Sequence, residues 1–356
     1  MMLEELGFDS FFEEQCKRLG VDLDSIARVT AEYKESYRVR NSGGEFLAKV
    51  TGKHMFQAAA REDYPAAGDW VEIRKVDEGQ ALIHQILPRK TILKRKSAYS
   101  NDEQVIAANI DESFIVQAVE RDFNLNRLER YFSIVIAGKI KPVILLNKID
   151  LINQAELASL VARIEERFNH PSILNTSITP EHGIEELRNY LMKGKTYCFL
   201  GSSGVGKSSL INLLYGSEIL KTKTISDFTQ KGRHMTTTRE LIMLENGSIV
   251  IDNPGMREVG MLEASGGIEE LFSDIEAIAM KCKYPDCTHG SEPGCAIQGA
   301  IRAGELDQKR WESYLKLTAE DEFQEMTKAE RRERERNKGK YYKKVSERLK
   351  KSNPKY

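Results

Sequence analysis

The sequence lacks any apolar run of about 18 residues, the length that a membrane-spanning helix needs. It also lacks a secretory signal, because Met1 to Glu5 are mostly acidic or apolar and offer no basic start before an apolar core. Cysteine is scarce and odd in number, with five in the chain, which fits a reducing compartment better than a disulfide framework. These absences predict a cytoplasmic protein that does not bind membranes.

Net charge is almost absent as well, since 53 basic residues face 54 acidic ones and leave a formal charge of −1. Residues 321–356 nevertheless hold 13 basic and 7 acidic side chains, a local charge of +6, which leaves −7 for residues 1–320. The near-zero net charge is therefore the sum of an acidic segment (1–320) and a basic one (321–356). It does not exclude a nucleic-acid partner.

The hydrophobic pattern changes several times along the 356 residues, which predicts several domains. Short apolar runs separated by turn residues predict a small β-barrel over 25–98. Alternating strands and helices predict an α/β domain with a mostly parallel sheet over 99–268. We expect a helical extension before them (1–24), a mainly helical domain after them (269–320) and a basic tail (321–356). In the α/β part, the predicted strands are Ser113–Val119, Val143–Asn147, Ser172–Thr176, Thr196–Leu200, Leu241–Leu244 and Ile249–Asp252, and the predicted helices are Leu125–Ala137, Gln154–Phe168, Ile184–Leu191 and Ser208–Tyr215.

A phosphate-binding loop is predicted where an apolar strand runs into a helix. The residues from Gly201 to Ser208 read G-S-S-G-V-G-K-S and match the pattern G-x-x-x-x-G-K-[ST]. Glycines let backbone N–H groups approach phosphates closely, while Lys207 would reach the β- and γ-phosphates and Ser208 would bind Mg²⁺. The alternative is a glycine- and serine-rich turn that happens to contain a lysine. The phosphate-binding residues would be Gly201, Ser202, Ser203, Gly204, Val205, Gly206, Lys207, Ser208 and Ser209.

The tetrad Asn147-Lys148-Ile149-Asp150 follows an apolar strand and predicts the choice of base. The carboxylate of Asp150 can accept hydrogen bonds from N1–H and N2–H₂ of guanine, whereas adenine offers no such pair of donors. The stem of Lys148 can lie over the base, and Asn147 can tie this loop to the phosphate-binding loop. The pattern thus favours GTP over ATP, with an ordinary polar turn as the alternative.

A third segment predicts the Mg²⁺ and γ-phosphate contacts. An apolar strand ends in Asp252-Asn253-Pro254-Gly255, where Asp252 would hold Mg²⁺ through water and the N–H of Gly255 would contact the γ-phosphate. A threonine in the run 236–238 could bind Mg²⁺ only in the triphosphate state, which predicts a switch. The alternative for this run is an ordinary polar loop.

Three of the five cysteines form a cluster with a histidine, Cys282-x₄-Cys287-x-His289-x₅-Cys295. Three thiolates and one imidazole are a favoured set for a tetrahedral structural Zn²⁺ site, and four protein ligands leave no open position for catalysis. Isolated core cysteines and a redox site are the alternatives. Cys198 lies in a predicted strand and is expected in the core.

These segments together resemble the family of circularly permuted GTPases that depend on the small ribosomal subunit, known as RsgA, YjeQ or YloQ. The base-reading tetrad precedes the phosphate-binding loop, the reverse of the order in ordinary small GTPases, and the cysteine cluster follows both. The resemblance covers roughly residues 25–315. It implies an N-terminal OB barrel, a permuted P-loop GTPase domain and a C-terminal zinc domain. It also implies a monomer that binds the small (30S) subunit and its rRNA late in assembly, with GTP hydrolysis stimulated by the subunit and driving release.

The resemblance also assigns residues that the motifs alone do not. Ser177 and Ile178 would support the guanine base through their backbone, and Thr237 is the best match for the switch threonine that binds Mg²⁺. Met256 stands where small GTPases carry a glutamine that orients water, so slow intrinsic hydrolysis is expected. His234 is the candidate catalytic group, with a structural or RNA-contacting histidine as the equal alternative.

Two other functions stay open at this stage, a P-loop kinase or metabolic NTPase, and an RNA-binding protein that senses GTP without hydrolysing it. An OB barrel commonly binds RNA through a basic, aromatic face, and the basic tail could form a further contact between Lys338 and Lys351. The candidate contacts on the barrel and at its exit are Tyr37, Arg38, Arg40, Lys53, His54, Phe56, Arg89, Lys90, Lys94, Arg95 and Lys96.

Overall fold

The computed structural model describes residues 2–52, 61–96, 103–120, 123–168, 170–179, 183–219, 239–252, 266–290, 292–326 and 330. His234, Thr237 and Gly255, three predicted site residues, lie outside these ranges, as do the barrel candidates Lys53, His54 and Phe56 and nearly all of the basic tail. The backbone of Asp252 is described, but its side chain is not.

The N-terminal part is a closed barrel of five strands with a helix packed against it. The barrel closes because β1 pairs with both β2 and β4, while β3 and β5 complete the ring in the order β1-β2-β3-β5-β4. Alternate residues of the strands point inward and form its core. This arrangement confirms the predicted OB-type barrel. The elements are α1 (Ser10–Leu19), β1 (Ile26–Glu32), β2 (Tyr37–Asn41), β3 (Gly44–Val50), β4 (Trp70–Asp77) and β5 (Gln80–Ile86), with 3₁₀ helices at Leu3–Leu6, Leu23–Ser25 and Arg61–Asp63.

The central part is a sheet of mostly parallel strands with helices on both faces. Its order is β10-β9-β8-β11-β13-β12, and only β12 runs antiparallel to its neighbour β13. A separate hairpin, β6-β7, connects the barrel to it. The elements are β6 (Ile92–Lys96), β7 (Glu103–Ala108), β8 (Glu112–Ala118), α2 (Leu125–Ala137), β9 (Lys141–Asn147), α3 (Gln154–Phe168), β10 (Ile173–Thr176), α4 (Glu185–Tyr190), β11 (Thr196–Leu200), α5 (Lys207–Tyr215), β12 (Arg239–Met243) and β13 (Ile249–Asp252), with a 3₁₀ helix at Ile149–Leu151.

Continuous apolar runs explain why this sheet is covered on both faces, because successive side chains of a strand point to opposite faces. In β11, for example, Cys198 and Leu200 join the core beneath α2 and α3, while Tyr197 and Phe199 join the core beneath α4 and α5. Cys198 is fully buried, as its place in a predicted strand suggested. The result is a three-layer arrangement, and it confirms the predicted α/β domain with a mostly parallel sheet.

The C-terminal part is helical and has its own core, which includes the buried side chains of Phe272, Ile297 and Trp311. Its helices are α6 (Gly267–Leu271), α7 (Ser273–Ala279), α8 (Ala296–Ala303) and α9 (Gln308–Glu325). Among the described residues, the helices include none that is both long and apolar enough to cross a membrane. The domain limits predicted at residues 24, 98, 268 and 320 stay predictions.

Candidate nucleotide site and metal cluster

The phosphate-binding loop lies between β11, which ends at Leu200, and α5, which begins at Lys207. Gly201, Gly204 and Gly206 all have positive φ, at 146°, 86° and 100°, so glycine is needed for the backbone path itself. A Cβ on Gly206 would lie 2.3 Å from Nδ2 of Asn147, so this glycine also allows the loop to approach the base-reading tetrad. The strand, loop and helix provide the context in which backbone N–H groups face a phosphate.

Lys207 folds back over this loop. Its Nζ donates to the carbonyl oxygens of Gly201 and Ser202 at 2.6 and 2.7 Å. The ammonium therefore already lies above the loop, where it can meet phosphate oxygens. Ser208, the predicted Mg²⁺ ligand, is half-buried in the first turn of α5.

Asn147 joins the base-reading tetrad to the phosphate-binding loop. It is buried at the end of β9, and its Nδ2 donates to the carbonyl oxygen of Val205 at 2.8 Å. Its Oδ1 accepts from the hydroxyl of Thr176 at 3.1 Å, in register on the neighbouring strand β10. Buried amides need such partners, and this set places the two loops side by side although they are 58 positions apart.

Asp150 lies beside the segment that the resemblance assigns to the base. Its carboxylate accepts a hydrogen bond from the hydroxyl of Ser177, which in turn contacts Thr179. The next residue, Ile178, exposes 55% of its surface at this edge. Asp150, Ser177 and Ile178 thus converge at the carboxyl ends of β9 and β10, where ligands bind in sheets of this kind.

Asp252, another predicted Mg²⁺ ligand, is described through its backbone alone. β13 runs parallel to β11, with Ile251 opposite Cys198, so both strands end at the same edge of the sheet. Asp252 is the last residue of β13, and its backbone therefore reaches the edge from which the phosphate-binding loop starts.

The predicted metal ligands come together in space. The ligand atoms of Cys282, Cys287, His289 and Cys295 all lie within 4.8 Å of one another. Nδ1 of His289 lies 3.4 Å from Sγ of Cys282 and 3.6 Å from Sγ of Cys295. The backbone N–H of Ala296 points at Sγ of Cys282, at 3.3 Å, from the first turn of α8.

The pKa values of two of these thiols, which are shifted in opposite directions, are compatible with a cation at the centre of this cluster. Although desolvation opposes it, hydrogen bonds from the backbone at the start of α8 lower the pKa of Cys282. The backbone hydrogen bond at His289 acts in the same sense on Cys287, but desolvation and the two neighbouring thiols raise the pKa of Cys287 to about 11. Thiols this close cannot all ionise unless a positive charge offsets their repulsion, which a tetrahedral cation would supply.

Comparison with known proteins agrees with this geometry. Residues 86–262 match the model of the RsgA GTPase family. The chain is 39% identical over 299 residues to the small ribosomal subunit biogenesis GTPase RsgA 2 of Lactiplantibacillus plantarum, covering 84% of each chain. The RsgA protein of Opitutus terrae is 38% identical over 334 residues, which cover 91% of this chain and 90% of that one. The chain belongs to the RsgA GTPase family.

Two solved structures share the RsgA architecture with this chain. YjeQ from Thermotoga maritima is 28% identical with a TM-score of 0.61, covering 83% of this chain and 98% of its own. YloQ, described as a circularly permuted GTPase, is 24% identical with a TM-score of 0.57, covering 85% of this chain and 96% of its own. The second likeness concerns the fold alone. Together they confirm the permuted α/β P-loop architecture read from the motif order.

Of the five basic barrel candidates whose side chains the structure describes, four have carboxylate partners inside this RsgA chain. Arg89 pairs with the buried Asp69 at 2.7 Å and also donates to the carbonyl oxygens of Glu62 and Tyr64. Three further candidates also form ion pairs: Arg38 pairs with Glu45 and Glu240, Lys90 with Asp9, and Lys94 with Glu62. Arg89 is therefore built into the barrel, whereas the side chains of Lys49, Arg74 and Lys75 are exposed.

Two residues in contact with predicted site residues were not themselves predicted from the sequence. Thr176, which orients Asn147, could have been found from its place at the end of a strand just before Ser177. Glu120, whose carboxylate lies 2.9 Å from Nζ of Lys148, carries no motif.

Proposed function

We propose that this chain is a GTP-hydrolysing biogenesis factor of the small ribosomal subunit. Bound GTP would favour association with the subunit and its rRNA, the subunit would stimulate hydrolysis, and hydrolysis would drive release. The relatives from L. plantarum and O. terrae carry names that state the subunit and the GTPase activity. The observation that supports this proposal most strongly is the hydrogen bond from Asn147 to Val205, which links the base-reading tetrad directly to the phosphate-binding loop.

Each part of the nucleotide would have its own group of residues in this proposal. Asp150, oriented by Ser177, would accept the N1–H and N2–H₂ of guanine, while Lys148 would cover one face of the base and backbone at Ile178 would support its edge. The loop from Gly201 to Ser209 would hold the phosphates. Lys207 would move from its carbonyl partners to the β- and γ-phosphates, because an anion is the better acceptor for an ammonium.

The magnesium ion would complete the phosphate side of the site. Ser208, Thr237 and Asp252 are its proposed ligands, with Gly255 contacting the γ-phosphate. The ion would neutralise charge that develops on the phosphate oxygens. His234 is proposed as the group that assists the attacking water, because Met256 has no polar group with which to orient it.

The metal cluster is proposed as one structural zinc site. Four protein ligands would fill the tetrahedron, and the ion would hold the loop between Cys282 and Cys295 on the core of the C-terminal helices. We further propose that the chain acts in the cytoplasm as a monomer, that it does not bind membranes, and that its basic tail contacts rRNA.

The decisive measurement is the rate of GTP hydrolysis with and without purified small subunits. We expect slow turnover by the chain alone and stimulation by small subunits but not by large ones. ATP in place of GTP should give no turnover above background in either case, whereas a P-loop kinase or metabolic NTPase would use ATP without subunits. GTP binding without hydrolysis, even with subunits present, would instead indicate a GTP-sensing RNA-binding protein.

A further inference from the structure

We propose that Glu120 is a positioning residue that fixes Lys148 over the guanine base and thereby sets nucleotide affinity. This inference rests on the proposed function, because it concerns the same pocket. It assigns a role to a residue that belongs to none of the nucleotide-binding motifs.

The backbone brings the two residues together at one edge of the sheet. β8 and β9 are parallel, with Ala118 opposite Asn147, and the N–H of Val119 extends this pairing by donating to the carbonyl oxygen of Asn147 at 3.1 Å. Glu120 follows Val119 and Lys148 follows Asn147, so each side chain leaves its strand at the edge where the pocket lies. Their juxtaposition is therefore a consequence of strand register.

The conformation of Lys148 makes an external anchor useful. Its φ is 65°, in the left-handed region that is uncommon for a residue with a side chain. This conformation turns the chain sharply between Asn147, which faces the phosphate-binding loop, and Asp150, which faces the base. The stem of the lysine is a flexible chain of four carbons, and ordering its rotatable bonds costs conformational entropy.

Glu120 supplies that anchor through an ion pair. Nζ of Lys148 lies 2.9 Å from Oε1 of Glu120, with the side chains 27% and 43% exposed. A charged tip held in this way leaves the apolar stem as a surface on which a flat base can stack. The ion pair therefore limits the freedom of the stem before the nucleotide arrives, and less entropy is lost on binding.

The test compares four full-length proteins, which are the wild type, Glu120→Gln, Lys148→Met and the double variant. Dissociation constants for a fluorescent GDP analogue and for a non-hydrolysable GTP analogue are measured at low and at high KCl. We expect Glu120→Gln to weaken both nucleotides by roughly three- to fivefold at low salt, the effect of losing a partly exposed ion pair. The two losses should be equal, since the pair lies on the base side, and subunit-stimulated hydrolysis at saturating GTP should keep its rate.

Two features separate positioning from a general structural effect. The loss caused by Glu120→Gln should shrink at about 1 M salt, where such pairs are screened, and it should disappear in the Lys148→Met background, where the stem remains but the charge is gone. The matched control is Glu112→Gln, which removes a carboxylate from the opposite end of β8, where it pairs with Lys141 at 3.0 Å and accepts from the hydroxyl of Tyr190. This control should bind both nucleotides as the wild type does.

Unchanged affinity of Glu120→Gln at low salt would overturn the inference, and so would a loss that persists in the Lys148→Met background. In both cases a wild type that binds guanine nucleotides leaves the proposed function standing. A wild type that binds neither GDP nor the GTP analogue would overturn the proposed function and this inference with it.

Discussion

Asp150 is the side chain on which, in the proposed function, the choice of base depends. It follows a turn created by the left-handed Lys148, and the hydroxyl of Ser177 already donates to one of its oxygens. An ionised carboxylate is only an acceptor, so its remaining lone pairs can be matched by the two N–H groups on one edge of guanine. A base without those donors would leave the charge unpaired at a partly desolvated site.

The first prediction is that Asp150→Asn exchanges guanine for xanthine. The amide offers one donor and one acceptor, which complement the oxygen that xanthine carries in place of the amino group. We expect GTP affinity to fall by about a hundredfold, the loss of two charge-assisted hydrogen bonds, and xanthosine triphosphate to bind in its place. Competition between the two nucleotides for the same protein measures the exchange directly.

Glu166→Gln serves as its control, because this residue is exposed on α3 and the substitution removes the same charge without touching the pocket. It should keep the preference of the wild type. Retention of guanine preference in Asp150→Asn would mean that another residue recognises the base.

At the scale of elements, contiguous patterns were predicted well and pairings between distant segments were not. The helices Leu125–Ala137 and Gln154–Phe168 have the predicted bounds because their apolar period is carried by neighbouring residues. The pairing of β12 with β1, which sets Arg239 opposite Glu32, joins segments about 200 positions apart and has no local signal. The hairpin β6-β7 was also not predicted.

The same distinction applies to the site. The residues Asn147, Asp150 and Gly201 belong to motifs whose spacing encodes their chemistry, so their convergence could be predicted. The ion pair of Glu120 and the internal partner of Arg89 could not be predicted. In a sequence, an isolated charged residue that faces solvent cannot be distinguished from one that forms an ion pair. Only the fold distinguishes these cases.

A buried group of charges attaches the C-terminal helices to the central sheet. Glu129 of α2 is fully buried and contacts Arg167 of α3 at 2.6 Å and Arg310 of α9 at 3.3 Å. Arg310 also pairs with Asp274 at 2.9 Å and lies over the ring of Phe272. One guanidinium thus joins three helices, and its removal would leave the buried Glu129 with Arg167 as its remaining cationic partner in this group.

The second prediction is that Arg310→Ala destabilises the junction by about 3 kcal/mol, the usual cost of breaking a buried ion pair from one side. The loss should appear as a lower midpoint of urea unfolding and as faster proteolysis between the central sheet and α9. Arg302→Ala, an exposed arginine at the end of α8, is the control and should change stability by less than about 0.5 kcal/mol. Equal stability of the two variants would contradict a structural role for the charge group.

At the scale of the whole molecule, the central sheet that carries the candidate nucleotide site is joined both to the barrel and to the C-terminal helices. The barrel and the central sheet form one continuous order of strands through β1 and β12, fastened by Arg239 with Glu32 at 2.6 Å. The buried Arg28 donates to the carbonyl oxygens of Leu6, Gly68 and Asn109, which belong to three separate segments. The cluster of three cysteines and His289, by contrast, packs on a core of its own, so loss of the proposed zinc ion should act locally.

The third prediction uses the two tryptophans of the chain to test this locality. Trp311 lies 5.6 Å from the ring of His289, whereas Trp70 is buried between the barrel and α1. A zinc chelator should therefore shift the emission of Trp70→Phe, which reports Trp311, to longer wavelength, and added zinc should restore it. Trp311→Phe, which reports Trp70, is the matched control and should show no shift.

Both variants should still bind GDP after chelation, because the phosphate-binding loop and Asn147 belong to the central sheet. A shift of Trp70 as large as that of Trp311 would show instead that the metal supports the whole chain, with the charge group at Glu129 transmitting the loss.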